Sequence, residues 1–277
     1  MSWLDALIMG IVQGLAEYLP ISSSGHLEIC RTILGLELSG AEALDFDLAL
    51  HVATVLSTIT VLRSEFVPLC RSFFTLRRDE NTSYVWKLIV SCIPVGIVGL
   101  CFKKEIERFF GSGLEIVGIC LLVTAVLLVF AYISRMRTER RPIRYNMPRD
   151  TGRQVGWIDA IVIGISQAIA VLPGLSRSGT TIATGIMLGD NREAVARFSF
   201  FMVIIPILGE ALLDVKDMLS GEAASESVGG LALAIGFVAS YIVGCLACRW
   251  MLEIVKKGKL VWFALYCAVV GAVCIIW

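Results

Sequence analysis

One stretch near the N-terminus occurs twice in the sequence, and this repeat constrains the fold more than any other feature. Residues 3–26, WLDALIMGIVQGLAEYLPISSSGH, align without a gap with residues 157–180, WIDAIVIGISQAIAVLPGLSRSGT. Each copy is an apolar segment that breaks at a proline, Pro20 or Pro173, and then enters a turn rich in serine. An internal repeat has to be accounted for before any other fold prediction. In membrane proteins, broken helices at matching positions of two halves point to the binding site.

The composition indicates a membrane protein. Hydrophobic residues make up 57% of the 277 residues and charged residues 17%, whereas soluble domains are nearer half apolar and a quarter charged. The sequence therefore predicts an all-α integral membrane protein with several apolar spans. The formal net charge is zero, which gives no reason to expect a nucleic-acid partner. We expect no cleavable signal peptide, because the N-terminus lacks a basic region and Asp5 interrupts it.

The nine cysteines are predicted to be small buried residues without a disulfide framework. Their number is odd and most of them lie inside apolar segments rather than in loops,. Cys245 and Cys248 have CxxC spacing, but no histidine or acidic residue lies beside them in their apolar span. We therefore predict no metal or redox site there.

The apolar segments divide a single membrane domain, 1–277, into two repeat halves. The halves are predicted at 1–133 and 157–277, joined by a basic cytoplasmic linker at 134–156. Each half begins with a hairpin of two helices that are individually shorter than the roughly 20 residues of a spanning helix. Such a pair is predicted to enter the membrane and return. The hairpins are placed at 3–36 and 157–189, and the full spans at 45–62, 86–102, 113–133, 197–213, 230–248 and 260–277.

The charges between these segments predict their orientation. The loops expected at 63–85, 134–156 and 249–259 are basic, and the loop expected at 214–229 is mostly acidic. Basic loops stay cytoplasmic, so both termini are predicted to be outside, with six transmembrane helices and two re-entrant hairpins. Because each half holds one hairpin and three spans, the second half would be inverted relative to the first. The mildly basic segment 103–108 falls on the outer side in this arrangement.

Glu17 and Gln13 are the polar residues of the first apolar segment. Their i, i+4 spacing places both on one face of a helix. An ionised carboxylate inside an apolar segment is costly, so Glu17 is predicted to be functional. The alternative is a glutamate that snorkels or pairs near the interface. Gln13 carries a weaker signal, and its repeat counterpart Gln167 is explained by a polar contact between helices.

Both turns are suited to binding phosphate. Residues 20–26 place three serines, a glycine and a histidine at a helix start, where backbone N–H groups favour an anion. Capping that helix requires only one serine. Residues 173–181 repeat the design with Arg177 opposite Ser23, and a guanidinium binds two phosphate oxygens with its planar fork. A structural pair between Arg177 and Glu17 is an alternative that is compatible with this role.

The two turns are predicted to meet near the membrane midplane, where their side chains suffice for phosphoryl transfer. Three further polar residues, Asp47, His51 and Glu210, lie outside the turns.

His51, four residues after Asp47, is interpreted as a hydrogen-bonded packing residue. Glu210 is interpreted as a solvated side chain near the acidic outer loop.

The paired motifs QGLAEYLPISSSGH and LPGLSRSGTT, with RFSFFMVIIP at 197–206, are similar to those of the bacterial undecaprenyl-diphosphate phosphatase (bacitracin-resistance) family. The similarity covers essentially the whole chain. It implies a multi-pass enzyme of the bacterial plasma membrane whose active site faces outside. The enzyme would remove the terminal phosphate of a polyprenyl diphosphate and so recycle the lipid carrier of peptidoglycan synthesis. The resemblance also implies a divalent cation, Mg or Ca.

Carried over by motif, the resemblance implies catalytic roles for Glu17, Ser23, His26 and Arg177, and a metal-ligand role for Glu17. The family allows Glu or Gln at the position of Gln13, so Glu17 becomes the sole strong carboxylate candidate. The substrate-binding candidates are Gln13, Ser22, Ser24, Ser176, Ser178 and Thr180.

Ser23 is the first choice of nucleophile, with Glu17 or His26 as base. Attack by water, or by His26 itself, stays open. A secondary transporter or lipid flippase is the alternative function, because such carriers share the inverted-repeat architecture and fold does not fix function. The sequence leaves the oligomeric state open, with a homodimer as one option.

Overall fold

The computed structural model describes residues 1–36, 38, 40–102, 113–139, 152–219 and 229–277, and the regular elements in these ranges are α-helices. In chain order they are α1 (Trp3–Ala16), α2 (Ser23–Leu34), α3 (Gly40–Val61), α4 (Arg63–Phe74), α5 (Glu80–Cys101), α6 (Leu114–Glu139), α7 (Trp157–Ile169), α8 (Arg177–Leu188), α9 (Arg192–Met202), α10 (Ile204–Leu219), α11 (Gly230–Lys256) and α12 (Val261–Ile276).

The prediction of an all-helical multi-pass membrane protein is confirmed in outline. Within the described ranges, four segments are long and apolar enough to cross a membrane: Glu80–Cys101, Leu114–Ser134, Arg192–Leu213 and Gly230–Lys256. A fifth span results if α3 and α4 are counted together, although the chain bends by 92° between them. The predicted last span corresponds to α12, which is apolar but has only 16 residues.

Two of the predicted loops are wrong. The segment 63–85 is not a loop, because α4 occupies its first half and α5 begins at Glu80. α4 is amphipathic: it buries Leu69 and Ser72 and exposes charges, and the charges alone suggested a loop. The segment 249–259 is mostly the end of α11, which continues to Lys256 and ends just before Gly258, whose φ of 70° is in the left-handed region.

The remaining predicted connections are described only in part. Residues 214–219 belong to α10 rather than to a loop. The rest of the acidic segment, most of the basic linker and the segment 103–108 lie outside the described residues. The predicted orientation of the helices stays a prediction.

The two predicted hairpins are confirmed as helix–turn–helix pairs with matching caps. α1 and α2 flank the first turn, and α7 and α8 flank the second. Ser22 and its repeat counterpart Ser176 cap the second helix of each pair, and each hydroxyl accepts a hydrogen bond from the backbone N–H of a glycine three residues later. Gly35 and Gly189 end those helices in the left-handed conformation, at φ 62° and 91°, as helix C-termini commonly do. The repeat therefore specifies the same local structure twice.

The two turns touch each other reciprocally. A Cβ atom on Gly25 would lie 3.0 Å from Cα of Gly174, and one on Gly179 would lie 3.1 Å from Cβ of Pro20. The 154-residue offset maps Gly25 onto Gly179 and Pro20 onto Gly174. The two contacts therefore join the same pair of repeat positions, with the roles of the two halves exchanged.

Each hairpin also packs on a helix of the other half. Gly10 and Gly14 of α1 lie against the backbone of α11, where a Cβ on Gly14 would be 2.8 Å from the Ser240 carbonyl oxygen. Gly164, the counterpart of Gly10, lies in the same way against Ser91 of α5. Small residues at such crossings let helix backbones approach closely in a membrane. These crossings carry both turns into the interior of the helix bundle.

A charged cluster holds the start of the second hairpin. Arg153 donates 3.0 Å to Asp190 and also pairs with Asp159, and both carboxylates are buried. Asp190 lies in the turn between α8 and α9. Burial and the neighbouring Asp159 charge raise the pKa of Asp190 to about 6, although Arg153 opposes this shift. The cluster ties the chain before α7 to the turn after α8.

Candidate active site

Glu17 lies at the centre of the site, in the first turn directly after α1. Its side chain is only 7% exposed. Its Oε2 atom accepts hydrogen bonds from Gln13 Nε2 at 2.9 Å and from the Ser23 hydroxyl at 2.7 Å. The i, i+4 prediction for Gln13 and Glu17 is confirmed as a direct contact. The contact between Ser23 and Glu17 does not follow from helix periodicity, because Ser23 lies beyond the end of α1. The break in the chain turns Ser23 back toward Glu17.

Arg177 reaches Glu17 from the second turn. Its terminal nitrogen lies 3.4 Å from Glu17 Oε1, joining residues 160 positions apart. The Arg177 side chain is 27% exposed. A buried carboxylate needs such a partner to remain ionised. The structure thus combines a hydroxyl, a carboxylate and a guanidinium from two distant motifs.

His51 of α3 also faces Glu17. Its Nε2 lies 3.6 Å from Glu17 Oε2, and its Nδ1 lies 2.7 Å from the Asp47 carbonyl oxygen. Because a carbonyl oxygen only accepts, Nδ1 carries a hydrogen, and Nε2 is the ring nitrogen that faces the carboxylate. The interpretation of His51 as a packing residue missed this contact. Only its presence beside Asp47 in an apolar span hinted at a role, and nothing local connected it to Glu17. Glu210, by contrast, is exposed as expected.

The serines of the first turn have different tasks. Ser22 caps α2, and its backbone has φ 72°, a value that L-residues rarely adopt,. Its hydroxyl also lies 3.4 Å from that of Ser24. Ser23 points instead to Glu17. Strained backbone of this kind often accompanies functional turns, and here the turn separates the capping serine from the one that contacts the acid.

The second turn supplies further hydroxyls. Ser176 caps α8 and lies 3.4 Å from the Ser178 hydroxyl. Ser178 donates across to the Leu19 carbonyl oxygen of the first turn at 3.3 Å. Thr180 is buried in the first turn of α8, and its hydroxyl has no hydrogen-bond partner within the described part of the chain. The predicted substrate-binding residues of both motifs therefore lie around one junction.

His26 is turned away from this junction. Its Nδ1 lies 2.8 Å from the Ser22 carbonyl oxygen, and its Nε2 lies 2.7 Å from the Tyr266 hydroxyl. The two rings stack with centroids 5.6 Å apart. Both ring nitrogens are thus engaged, and the contact to Glu17 is made by His51.

A small cavity of about 20 Å³ lies between the two halves at this point. Glu17 and Arg177 line it, together with Gln167 and the hydroxyls of Thr181 and Ser199. It is large enough for a water molecule and too small for a diphosphate. A diphosphate therefore has to approach from the exposed side of Arg177 or open the site.

The donor set near Glu17 suits a cation that is shared with a phosphate. Among the residues that the structure describes, no group of three His, Cys, Asp or Glu side chains converges as a metal site. Glu17 is a single carboxylate, but the buried Gln13 Oε1 beside it lacks a hydrogen-bond partner in the described ranges. Magnesium is commonly held by one or two protein oxygens plus substrate phosphates. Gln13 and Glu17 fit that arrangement.

The comparisons with known proteins agree with the two motifs. The family model described as "Bacitracin resistance protein BacA" matches residues 6–273. The chain belongs to the BacA bacitracin resistance protein family. A Bacteroides fragilis protein named "Undecaprenyl-diphosphatase" is 51% identical over 276 residues, which cover 100% of this chain and 98% of the relative. Relatives with the same name are 51% identical in Parabacteroides distasonis, over 99% and 98% of the two chains, and 44% identical in Christiangramia forsetii, over 98% and 97%.

Proposed function

We propose that this chain hydrolyses undecaprenyl diphosphate to undecaprenyl phosphate and inorganic phosphate. It would thereby recycle the lipid carrier of peptidoglycan synthesis and confer bacitracin resistance. The proposal follows from the BacA family membership and the names of full-length relatives. The structural observation that carries it is the Ser23–Glu17–Arg177 arrangement, in which a hydroxyl donates 2.7 Å to a carboxylate paired with a guanidinium.

In the first step, Ser23 is the nucleophile and Glu17 the base. The Ser23 oxygen attacks the terminal phosphorus while its proton passes to Glu17 Oε2. The bond from that phosphorus to the bridging oxygen breaks, and polyprenyl monophosphate leaves. Arg177 exchanges its contact with Glu17 for the phosphate and stabilises the charge that develops on the oxygens. The backbone N–H groups at the starts of α2 and α8 add to this stabilisation.

In the second step, water hydrolyses the phosphoserine. Glu17 first passes its proton to His51 Nε2, 3.6 Å away, and is again a base. It then takes a proton from the attacking water and returns it to the Ser23 oxygen as the bond to phosphorus breaks. The products are free Ser23 and inorganic phosphate, and the proton on His51 leaves to solvent. This sequence uses His51, rather than His26, as the histidine beside the base.

A divalent cation, Mg or Ca, would be held by Glu17 and Gln13 Oε1 together with the diphosphate. When bound, it would neutralise charge on the phosphate oxygens. The support is the partnerless Gln13 oxygen beside the carboxylate. The protein residues keep the roles given above.

We further propose the inverted-repeat topology with six spans, two re-entrant hairpins and a site that opens outside. Its support is the reciprocal contact of Gly25 with Gly174 and of Gly179 with Pro20, together with the basic segments expected in the cytoplasm. A cysteine-free background with single cysteines at Ser2 and Arg78 tests the orientation. A membrane-impermeant thiol reagent applied to intact cells should label the first position only, and the reverse pattern would contradict the model.

Phosphate release from undecaprenyl diphosphate by purified protein tests the function. Release should require Mg or Ca and stop with a chelator. Absence of release from monodisperse, cation-loaded protein would contradict the phosphatase proposal. The same inverted architecture would then favour the lipid-carrier alternative, which scrambling of a labelled lipid in vesicles would measure.

A further inference from the structure

Gln167 is a buried amide whose Nε2 atom meets no nitrogen or oxygen acceptor among the described residues, and its polar neighbour is the Cys92 sulfur of α5, a weak acceptor,. It is the repeat counterpart of Gln13, whose Nε2 donates to Glu17. The counterpart of Glu17 is Val171, so Gln167 has no acid to bond. The residue is 1% exposed, and its Nε2 atom has no hydrogen-bond partner among the described residues. An unmet buried donor is costly and calls for an explanation.

Gln167 lines the cavity that also contains Glu17 and Arg177. Two hydroxyls of the lining, Thr181 and Ser199, lie 2.6 Å apart. A buried water needs roughly 10–15 Å³ of such space and two to four polar partners. The cavity offers about 20 Å³, and its lining includes the polar residues Gln167, Glu17, Thr181 and Ser199. The cavity therefore has room and polar neighbours for a bound water.

We propose that this cavity binds the water that hydrolyses the phosphoserine, and that Gln167 positions it. The inference rests on the proposed phosphatase function and adds a residue from the second repeat. Gln167 Nε2 donates to the water oxygen, and the water donates a proton to Glu17. The water oxygen then bonds to phosphorus, the bond from phosphorus to Ser23 breaks, and Glu17 delivers the proton to the Ser23 oxygen. The two equivalent glutamines therefore have different roles: Gln13 hydrogen-bonds the base Glu17, and Gln167 hydrogen-bonds the attacking water.

Gln167→Leu tests this, because leucine has a similar size and offers no donor. We expect kcat to fall about tenfold or more and KM for undecaprenyl diphosphate to fall in parallel, so that kcat/KM stays within about twofold of wild type, because only the step after phosphoserine formation is slowed. Inhibition by inorganic phosphate should be unchanged. In rapid-quench experiments with terminally ³²P-labelled substrate, labelled protein should accumulate, because formation of the phosphoserine outpaces its hydrolysis.

The matched control is Ser166→Ala, one position away on α7. The Ser166 hydroxyl bonds the Ile163 carbonyl oxygen of its own helix and is not part of the cavity lining, so activity should stay near wild type. Ser199→Ala is a second cavity variant with a smaller change in packing. It should show the same parallel fall in kcat and KM, and it keeps the test valid if Gln167→Leu does not fold.

Wild-type kcat in well-folded Gln167→Leu and Ser199→Ala would overturn the inference. So would a rise in KM together with weaker phosphate inhibition, because Gln167 would then contact a phosphate oxygen. A fall in kcat without labelled protein would also overturn it. These results differ from failure of the proposed function, in which the wild-type protein itself releases no phosphate.

Discussion

Arg177 and Glu17 form an ion pair across the two repeat turns, with 3.4 Å between guanidinium nitrogen and carboxylate oxygen. Before substrate arrives, the pair compensates two charges that would be costly alone in the membrane interior. A diphosphate offers Arg177 a stronger, bidentate partner. Substrate binding should therefore break the pair and free Glu17 to act as a base.

Replacing Arg177 should lower activity in the order Arg, Lys, Ala. Lysine keeps the charge but loses the planar fork, and so one of two parallel hydrogen bonds to phosphate. Loss of one charge-assisted bond is worth roughly 1.5–3 kcal/mol, or about ten- to a hundredfold in rate. Phosphate release by each purified variant measures this, with size-exclusion profiles as the folding control. An active, well-folded Arg177→Ala protein would remove the proposed phosphate clamp.

Glu17→Gln should abolish most turnover and weaken the dependence on cation. The amide keeps the shape of the side chain but can neither take the Ser23 proton nor offer an anionic ligand. We expect a loss of about a hundredfold or more, measured as phosphate release at several cation concentrations. Glu210→Gln, on an exposed position of α10, is the matched control. Wild-type rates in Glu17→Gln at saturating cation would mean that Glu17 is structural.

His51→Asn should lower kcat more than His26→Asn does. His51 Nε2 faces Glu17, whereas His26 is engaged by Ser22 and Tyr266. Loss of the proton acceptor should cost about tenfold or more in kcat, and added imidazole should restore part of the rate. Phosphate release with and without imidazole measures this. A larger loss in His26→Asn, with His51→Asn near wild type, would return the role to His26.

Asp190→Asn should remove part of the pH dependence of stability. The pKa of Asp190 is about 6 in the folded protein against an ordinary value of 3.8. Between these values the folded state holds a proton that the unfolded state lacks, so the free energy of unfolding should fall as pH rises from about 4 to 6 and then level off. Thermal unfolding in detergent across this range measures the slope. An equal slope in Asp190→Asn, with Glu210→Gln as reference, would contradict the assignment.

Local features of the structure were readable from the sequence. The membrane class followed from hydrophobic content, and the two broken hairpins followed from the repeat. The Gln13–Glu17 contact depends on residues four positions apart, which helix geometry specifies directly. The sequence left open which serine caps each second helix, and the structure shows that it is Ser22 or its counterpart Ser176. Charged segments were read less well. The segment of α4 was predicted to be a loop because of its charged residues. It is an amphipathic helix, and the side that it buries is determined by packing against other helices.

Contacts between distant segments were decided by the tertiary structure. The meeting of the turns was expected, but the approach of His51 to Glu17 depends on where α3 lies, and no sequence period encodes that. The small residues of α1 and α7 set how closely these helices approach α11 and α5, and hence where the turns sit. The same packing leaves Gln167 beside a cavity without an acid partner. The sequence alone determined which chemical groups are present and the helices and turns that carry them, whereas packing between helices decided which of these groups meet.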